Sequence, residues 1–293
     1  MPRFSLITCA AVLIGTFSAG AATVRMETTL GNIDVELYGG IAPQSCGSFL
    51  GCVTRGAYDN SIFHRSEAGF VLEGGGFRPT EIGDGYDLSP IPAGDPVVNE
   101  FSPELSNVLG TLAMRSTADG SSPPSSQWFF NMGDNSSIFD GPNSGINVFG
   151  RVTAGLDVLL ALGALEVFNF SGGDSSSPFV EFPTMDSYTQ EAYEAGSYPA
   201  LSDLVWLRSA WPITDANNDG MVDATDYIVL KRNFGAQSGA GWQQGDFDSD
   251  GDVDYDDLRL LTLCLSKPPV TSSSMTPEPA SAMMLRKRPV KYT

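Results

Sequence analysis

The fold is decided by a stretch that reads Ile62-Phe63-His64-Arg65 and then Gly69-Phe70-Val71-Leu72-Glu73-Gly74-Gly75. Two further stretches follow in order along the chain, Ser126-Gln127-Trp128-Phe129-Phe130-Asn131 and Val148-Phe149-Gly150-Arg151-Val152. Each contains a short apolar run typical of a β-strand. Four ordered motifs are specific evidence, whereas an isolated Phe-His-Arg would carry little weight.

The segments around these motifs extend the same pattern. Residues 24–29 and 32–37 alternate apolar and polar side chains on either side of Leu30-Gly31, which predicts a β-hairpin. Ala42-Pro43 predicts the start of a helix over 44–53, because proline is favoured in the first helical turn. Further predicted elements are a strand at 111–115, a helix at 156–162 and a closing strand at 204–210. Many short strands with two helices predict a mainly β fold, a closed antiparallel barrel capped by helices.

These motifs resemble those of the cyclophilins, which are peptidyl-prolyl cis-trans isomerases. The resemblance covers about residues 24–210 and includes Ala42-Pro43 and Gly56-Ala57-Tyr58-Asp59. It implies a closed cyclophilin-like β-barrel and a rotamase activity in protein folding, with no cofactor for isomerisation. The implied substrates are proline-containing polypeptides.

The residue types suit this reaction. Isomerisation of an X–Pro bond has a barrier of about 18–20 kcal/mol, because amide resonance keeps the bond planar. Twisting the bond localises the lone pair on the proline nitrogen, and an arginine donor aimed there favours the twisted state over both planar states. No nucleophile or proton transfer is needed. An apolar pocket must hold the proline ring, and fixed polar groups must hold the flanking backbone.

The resemblance also implies roles for individual side chains. The implied catalytic set is Arg65, Phe70, Glu73, Gln127 and Phe129. The implied substrate pocket adds Met114, Ile138 and Phe139. Arg65 supplies the donor, Phe70 and Phe129 line the proline pocket, and Gln127 holds the substrate backbone. The plainer alternatives are that Arg65 is a surface strand residue and that the two phenylalanines belong to the core, with His64 a packing residue.

Two positions depart from the family pattern. Glu73 stands where the family has Gln, and an ionised carboxylate only accepts hydrogen bonds, whereas an amide also donates them. Glu73 can therefore pair with Arg65 and compete with the substrate, which predicts a low activity. Arg115 follows Met114 where the family usually has Ala, and a bulky cation near the groove is expected to alter which residue precedes the proline.

A second region carries two copies of an acidic twelve-residue pattern, which begin at Asp215 and Asp246, 31 residues apart. Positions 1, 3, 5, 9 and 12 carry oxygen ligands, position 6 is glycine, and position 7 offers its backbone carbonyl, which is the spacing of a calcium loop. The predicted ligands are Asp215, Asn217, Asp219, Met221, Asp223 and Asp226 in the first loop, and Asp246, Asp248, Asp250, Asp252, Asp254 and Asp257 in the second.

The paired loops, each followed by one apolar helix, resemble a type I dockerin over residues 213–266. The resemblance implies a small all-α module with two Ca²⁺ and a cohesin-like partner. A calcium-stabilised structural module without such a partner is the alternative. The ligand carboxylates repel one another without the cation, so the module is expected to fold only with calcium.

The chain ends predict export. Residues 1–21 combine Arg3, an apolar run and a small-residue site at Ala19-Gly20-Ala21, the pattern of a signal peptide. The mature protein would then be periplasmic, at the cell surface or secreted in a bacterium. Residues 267–293 read as a linker and a degenerate tail that resembles a PEP-CTERM sorting signal, and a plain disordered tail is the alternative. The apolar run of that tail, Ala280 to Leu285, is too short for a stable membrane span.

The charge narrows the partners. A formal net charge of −19 argues against nucleic acid and against anionic membrane surfaces. A single histidine excludes His-rich metal sites. Residues 22–212, the predicted isomerase domain, hold 7 Arg and 23 acidic residues, a net −16, so each arginine there is unusual. Residues 213–266 hold 3 basic and 11 acidic residues, a net −8.

The sequence therefore predicts an exported cyclophilin-type isomerase with a calcium-binding, dockerin-like module for assembly. The alternative is a non-catalytic peptide-binding protein, or a calcium-dependent assembly protein, on the same scaffold.

Overall fold

The computed structural model describes residues 22–83, 85–93, 97–115, 126–217, 222–248 and 250–265. The predicted signal peptide at 1–21 and the predicted tail at 267–293 lie outside the described residues. Two predicted calcium ligands, Asp219 and Met221, also lie outside them.

The described chain alternates short strands with a few helices. The strands are β1 (Thr23–Thr28), β2 (Gly31–Leu37), β3 (Ser61–Ile62), β4 (Arg65–Glu67), β5 (Val71–Gly74), β6 (Phe77–Ile82), β7 (Gly85–Pro90), β8 (Thr111–Arg115), β9 (Trp128–Asn131), β10 (Ile146–Ala154), β11 (Val167–Phe168), β12 (Phe182–Pro183) and β13 (Trp206–Ile213). The helices are α1 (Pro43–Thr54), α2 (Ser136–Phe139), α3 (Leu156–Gly163), α4 (Gln190–Glu194), α5 (Ala224–Asn233) and α6 (Tyr255–Leu265).

The predicted hairpin is confirmed as β1 and β2. Val24 and Met26 are completely buried and lie opposite Val35 and Ile33, which are also completely buried. The polar residues between them are only partly buried. Because successive strand side chains point to opposite faces, this alternation directs one face of the hairpin to the core.

The main sheet is open, so the prediction of a closed barrel was wrong. Its strand order is β4-β5-β9-β8-β10-β2-β1-β13-β3-β6-β7, with β4 at one edge and β7 at the other. The predicted strand 62–65 is divided, because Phe63 N donates to Val205 O at 2.9 Å whereas His64 N donates to Glu73 O at 3.1 Å. The chain thus passes directly from the ninth strand of the sheet to the first.

The edge strand β4 is covered by a later segment instead of by β3. Ser66 N donates to Glu181 O at 2.8 Å, one residue before β12 begins. At the opposite edge, β6 and β7 form a hairpin that was not predicted from the sequence. Both ends of the sheet are therefore extended or covered by chain, and the ladder between β3 and β4 does not form.

A buried aromatic group fills the space between the sheet and α1. Trp128 on β9 makes edge-on contacts with Phe49 of α1, at 6.3 Å between ring centroids, and with Phe63, at 5.8 Å. The indole lies against Gly74, where an added Cβ would come within 2.5 Å of Trp128 Cη2. Gly75 has a φ of +71° and faces the same ring. The Gly-Gly pair is thus explained by the packing of one tryptophan.

Helix α1 confirms the predicted helix and carries two of the three described cysteines. Pro43 lies in its first turn, and Cys46 and Cys52 are buried and free. Helix α3 confirms the second predicted helix and packs on β2.

The C-terminal region has its own small core. Phe247, Val253 and Leu261 are completely buried there, and Leu230 of α5 packs against them. The second loop is joined to the segment that follows α5 by backbone hydrogen bonds, Gly235 N to Val253 O at 2.8 Å and Val253 N to Ala236 O at 3.0 Å. The expected helix after each loop is present, as α5 and α6.

Candidate active site and calcium loops

One row of side chains crosses five strands of the main sheet. The register pairs Arg65 with Glu73, Glu73 with Phe129, Phe129 with Ala113, and Ala113 with Val148. Residues directly opposite one another in a sheet point to the same face. The row therefore runs from a charged end on β4 and β5 to an apolar end on β9, β8 and β10.

The next row, Ser66, Leu72, Phe130 and Leu112, is buried and points to the opposite face. Along these strands, consecutive residues therefore alternate between the face of the site and the face of the core.

Arg65 is held by three carboxylates. Its Nη1 donates to Glu73 Oε1 at 2.5 Å and its Nη2 donates to Glu67 Oε2 at 2.6 Å. Its Nε donates to Glu181 Oε2 at 3.1 Å. The side chains of Arg65 and Glu73 are 26% and 25% exposed, so the pair lies at the surface of the groove and is only partly shielded from water. The predicted pairing of Glu73 with Arg65 is confirmed.

The neighbours of Glu73 shift its ionisation. Burial raises the pKa of the Glu73 carboxyl, but His64 and Arg65 outweigh burial, and the net pKa lies below its ordinary value. Burial lowers the pKa of Arg65, but the three carboxylates outweigh that effect and raise it. Both partners are therefore held in their charged forms at neutral pH.

His64 is completely buried beside this pair. Its Nε2 lies 3.7 Å from Glu73 Oε2, and its ring packs edge-on against Phe77 at 5.0 Å. Neither ring nitrogen hydrogen-bonds to another described residue. This placement agrees with a packing role for His64.

Three phenylalanines form the apolar end of the groove. Phe139 lies 5.2 Å from Phe70 and 5.6 Å from Phe129, measured between ring centroids. Val71 and Ala113 lie at the base of the same cluster. The structure thus brings together three of the predicted pocket residues. Ile138, the residue before Phe139, is 63% exposed and is not part of this cluster.

Met114 lies on the other face of β8. It is buried in the main core with Leu112, while Ala113 and Arg115 alternate with it on the groove face. Ala113 takes the place in the pocket that the resemblance implied for Met114. Arg115 is exposed and lies opposite Ile146, at the border of the apolar cluster.

Gln127 is exposed directly before β9. Its amide lies close to Gly76, where an added Cβ would be 3.2 Å from Gln127 Nε2 and 2.9 Å from His64 Cε1. The amide therefore lies near the ring of His64, which in turn lies beside Glu73.

A buried asparagine network, which was not predicted from the sequence, supports the pocket. Asn135 Nδ2 donates to Phe70 O at 2.7 Å and to Asn131 Oδ1 at 2.8 Å. Asn131 Nδ2 donates to Asn107 Oδ1 at 3.0 Å, and Asp140 accepts from Asn107 N at 2.9 Å. These bonds fix the backbone on both sides of the phenylalanine cluster. Two asparagines four apart at the end of a strand were the only local signal.

The second calcium loop gathers carboxylates into two groups. Ligand oxygens of Asp246, Asp248 and Asp250 lie within 4.8 Å of one another, and those of Asp252, Asp254 and Asp257 form a separate group of the same size. Burial and the charges of Asp257 and Asp250 raise the pKa of Asp248 to about 7. The structure thus brings the five predicted side-chain ligands of this loop into two sets, the second of which also contains the carboxylate of Asp252, whose predicted ligand is its backbone carbonyl.

The last ligand position of each loop has the same environment. Asp226 Oδ1 accepts from Ala216 N at 2.8 Å and its Oδ2 from Asp223 N at 2.8 Å. Asp257 Oδ1 accepts from Phe247 N at 2.5 Å and its Oδ2 from Asp254 N at 2.8 Å. These bonds shape both loops in the same way, with the two aspartates buried.

The donor set of the second loop fits a hard cation. Clustered carboxylates are the ligands that Ca²⁺ prefers. The Asp252 Oδ1 oxygen is buried and accepts no hydrogen bond from a described residue. In the first loop, Asp215, Asn217 and Asp223 are described, and Asp223 caps α5 through Thr225 N at 2.7 Å.

Comparison with known proteins identifies the family. Residues 23–181 match the family model "Cyclophilin type peptidyl-prolyl cis-trans isomerase/CLD". The chain belongs to this family. A second family model, "Dockerin type I domain", matches residues 213–272. The predicted resemblance to both families is confirmed, and the chain is an isomerase of the cyclophilin type.

Curated relatives carry the same activity in their names. A "Peptidyl-prolyl cis-trans isomerase" of Acinetobacter baylyi is 36% identical over 149 residues, which are 50% of this chain and 75% of that protein. "Peptidyl-prolyl cis-trans isomerase A" of Dickeya dadantii is 36% identical over 144 residues, 48% of this chain and 72% of that protein. A crystal structure of a Cryptosporidium parvum cyclophilin type isomerase with the dipeptide ala-pro covers 64% of this chain and 96% of its own, at 22% identity and a TM-score of 0.43.

Membership of the two families indicates the general ligands of each domain. Cyclophilins bind proline-containing peptides and need no cofactor, and a type I dockerin domain binds calcium and cohesin modules. A dockerin domain implies an extracellular or cell-surface protein. Among the described residues, no helix has both the length and the apolar character needed to cross a bilayer.

Proposed function

We propose that this chain isomerises X–Pro bonds of exported or surface polypeptides, with Arg65 as the catalytic donor. The observation that supports the proposal is the row across β4, β5, β9 and β8, which sets Arg65 and Glu73 beside Phe129 and Ala113. A donor next to an apolar, ring-lined pocket is the arrangement that a twisted prolyl amide requires.

In this proposal the pocket of Phe70, Phe129 and Phe139 holds the proline ring by apolar contact. Arg65 donates to the proline nitrogen as the bond twists, and this donation is stronger to the twisted than to the planar amide. Gln127 holds the flanking backbone. Every 1.4 kcal/mol of preference for the twisted state raises the rate about tenfold.

Glu73 sets the level of this activity. Arg65 must weaken its 2.5 Å hydrogen bond to Glu73 before Nη1 can reach a substrate. A Gln at position 73 would accept from Arg65 without a competing charge and could donate to the substrate carbonyl. We therefore expect the wild-type isomerase to be slow.

A second candidate function is non-catalytic capture of prolyl peptides. The observation that favours it is that the Arg65 guanidinium is fully engaged, because each of its three nitrogens donates to a carboxylate. If none of these bonds yields to substrate, the apolar pocket still binds proline but the barrier stays unchanged.

For the C-terminal module we propose two bound Ca²⁺ and a role in assembly through a cohesin-like partner. Asp215, Asn217, Asp223 and Asp226 would serve the first ion, and the clustered aspartates of 246–257 the second. The cation would neutralise carboxylates that otherwise repel one another and so stabilise the loops. The proposed boundaries are 22–212 for the isomerase domain and 213–266 for the module, after a signal peptide at 1–21 and before a tail at 267–293.

Two arginine variants test the catalytic proposal. Arg65→Ala removes the proposed donor, and Arg25→Ala removes a matched strand arginine, which is 25% exposed and bonded at 2.7 Å to Asp34. In a protease-coupled assay with a prolyl peptide, kcat/KM should fall only in Arg65→Ala. Equal, measurable activity in both variants would refute Arg65 as the donor, and peptide binding without any activity in the wild type would leave capture as the function.

A further inference from the structure

We infer that the carboxylates around Arg65 make the groove selective for prolyl peptides with a basic residue beside the proline. The inference rests on the proposed function of the Arg65 face. One guanidinium is bonded to Glu67, Glu73 and Glu181. Arg65 balances one of the three negative charges, so the cluster carries a net charge of −2. Even a protonated His64 would leave it negative.

These carboxylates can be reached by a bound peptide. The side chain of Glu67 is 41% exposed and that of Glu181 is 31% exposed, whereas Glu73 lies deeper at 25%. Arg65 occupies one oxygen of each. The outer carboxylates are therefore able to accept from a substrate cation without breaking the bonds to Arg65.

The cluster borders the proline pocket. Glu73 lies directly opposite Phe129 in the ladder between β5 and β9, and neighbouring strands are about 4.8 Å apart. A residue next to the bound proline lies about 3.3 Å farther along the peptide, and a lysine side chain spans the remaining distance. A cation at that position can thus meet the acidic end of the row.

Glu181 is held at a fixed place although it is 116 residues from Arg65 in sequence. Its backbone carbonyl accepts from Ser66 N at 2.8 Å on the edge of β4. Phe179, two residues earlier, packs on Phe77 at 4.9 Å between ring centroids. The Glu181 carboxylate therefore belongs to the folded site. It adds a negative charge to the one that Glu73 contributes in place of the family's Gln.

Coulomb attraction sets the size of the preference. Two net charges about 7 Å from a substrate cation, in surroundings close to water, favour that cation by about three- to tenfold. The same charges disfavour an acidic residue by a similar factor. Added salt weakens both effects, because the groove is open to solvent.

The test uses the calcium-loaded full chain and matched peptides that differ only in Lys, Ala or Glu next to the proline, before it in one series and after it in another. Exchange NMR gives kcat/KM and titration gives Kd. We expect at least a threefold preference for Lys over Ala in one series, a lower value for Glu, and convergence of all three in 0.5 M salt. Equal values for the three peptides would overturn the inference.

Charge-neutral variants separate this local effect from the acidity of the whole chain. Glu67→Gln and Glu67→Gln/Glu181→Gln should progressively remove the Lys preference. Glu191→Gln/Glu194→Gln changes the same charge on the exposed side of α4 and should keep it. A preference that survives in the site variants would contradict the inference. If no peptide is isomerised, the proposed activity fails, but the order of the Kd values still decides the charge selectivity.

Discussion

Replacing Glu73 by Gln should make this isomerase faster. The change removes one negative charge but keeps the shape of the side chain, so the strand pairing of β5 is retained. Glu73 now holds Arg65 Nη1 at 2.5 Å, and both side chains are about one quarter exposed. The substitution exchanges a charge-assisted bond for a neutral one that the substrate can displace.

The expected gain follows from that bond. A charge-assisted hydrogen bond contributes about 1.5–3 kcal/mol in a protein, and partial exposure places this pair at the lower end of that range. Glu67 and Glu181 still hold the other two nitrogens, so only part of the restraint is lifted. We expect a gain in kcat/KM of about tenfold, equivalent to about 1.4 kcal/mol.

The assay is the protease-coupled isomerisation of one prolyl peptide by wild type, Glu73→Gln and a matched control. Glu36→Gln is that control, because Glu36 also lies in a strand, accepts from Arg151 at 2.8 Å and is 28% exposed. Since kcat/KM is measured from the free enzyme, it includes the cost of releasing Arg65. An unchanged or lower value in Glu73→Gln, with its fold intact by circular dichroism, would show that Glu73 does not restrain Arg65 in the reaction.

Three other outcomes follow from the same contacts. The pKa of Glu73 in the folded state lies below 4.5, so its ionised form stabilises the fold. The stability that Glu73 adds over Glu73→Gln should therefore be constant from pH 8 to about 5 and vanish as the pH falls through that folded-state pKa. Urea unfolding of both proteins across this pH range measures the difference. Asn135→Ala should cost about 2 kcal/mol in urea unfolding and lower kcat/KM several-fold, because buried Asn131 Oδ1 loses its donor and Phe70 O keeps only the bond from Met132 N; full activity would contradict that support role. Chelation of calcium should remove helical signal of α5 and α6 from the far-UV circular dichroism of the full chain, and calcium should restore it; an unchanged spectrum would show that the loops fold without the ion.

Local patterns were enough to predict much of the sheet. The hairpin of β1 and β2 follows from strict alternation, with Val24, Met26, Ile33 and Val35 completely buried. The hairpin of β6 and β7 was not predicted because its residues are mostly half-buried and include Pro79, so neither alternation nor composition marks it. Closure of the barrel depended on the pairing of β3 with β4, which no local pattern specifies.

The site residues that belong to the ordered motifs could be predicted from the sequence. Those whose position depends on strand register or on contacts distant in sequence could not. Phe70 and Phe129 lie in one apolar cluster, and Arg65 lies two strands from Phe129 in the same row. Met114 was placed in the pocket by resemblance, but the pairing of Ala113 with Phe129 turns Met114 to the core, and a shift of one residue reverses the face of a strand side chain. Glu181 approaches Arg65 from 116 residues away, and a contact of that separation leaves no signal in a single sequence.

Arg65 is proposed to lower the barrier to rotation of a bound prolyl bond. The most direct test is the rate of cis–trans exchange of a saturating prolyl peptide on the enzyme, measured by exchange NMR for wild type, Arg65→Ala and Arg25→Ala. We predict that Arg65→Ala slows on-enzyme exchange about a hundredfold while Arg25→Ala matches wild type. An Arg65→Ala enzyme that binds the peptide and exchanges it at the wild-type rate would contradict the claim.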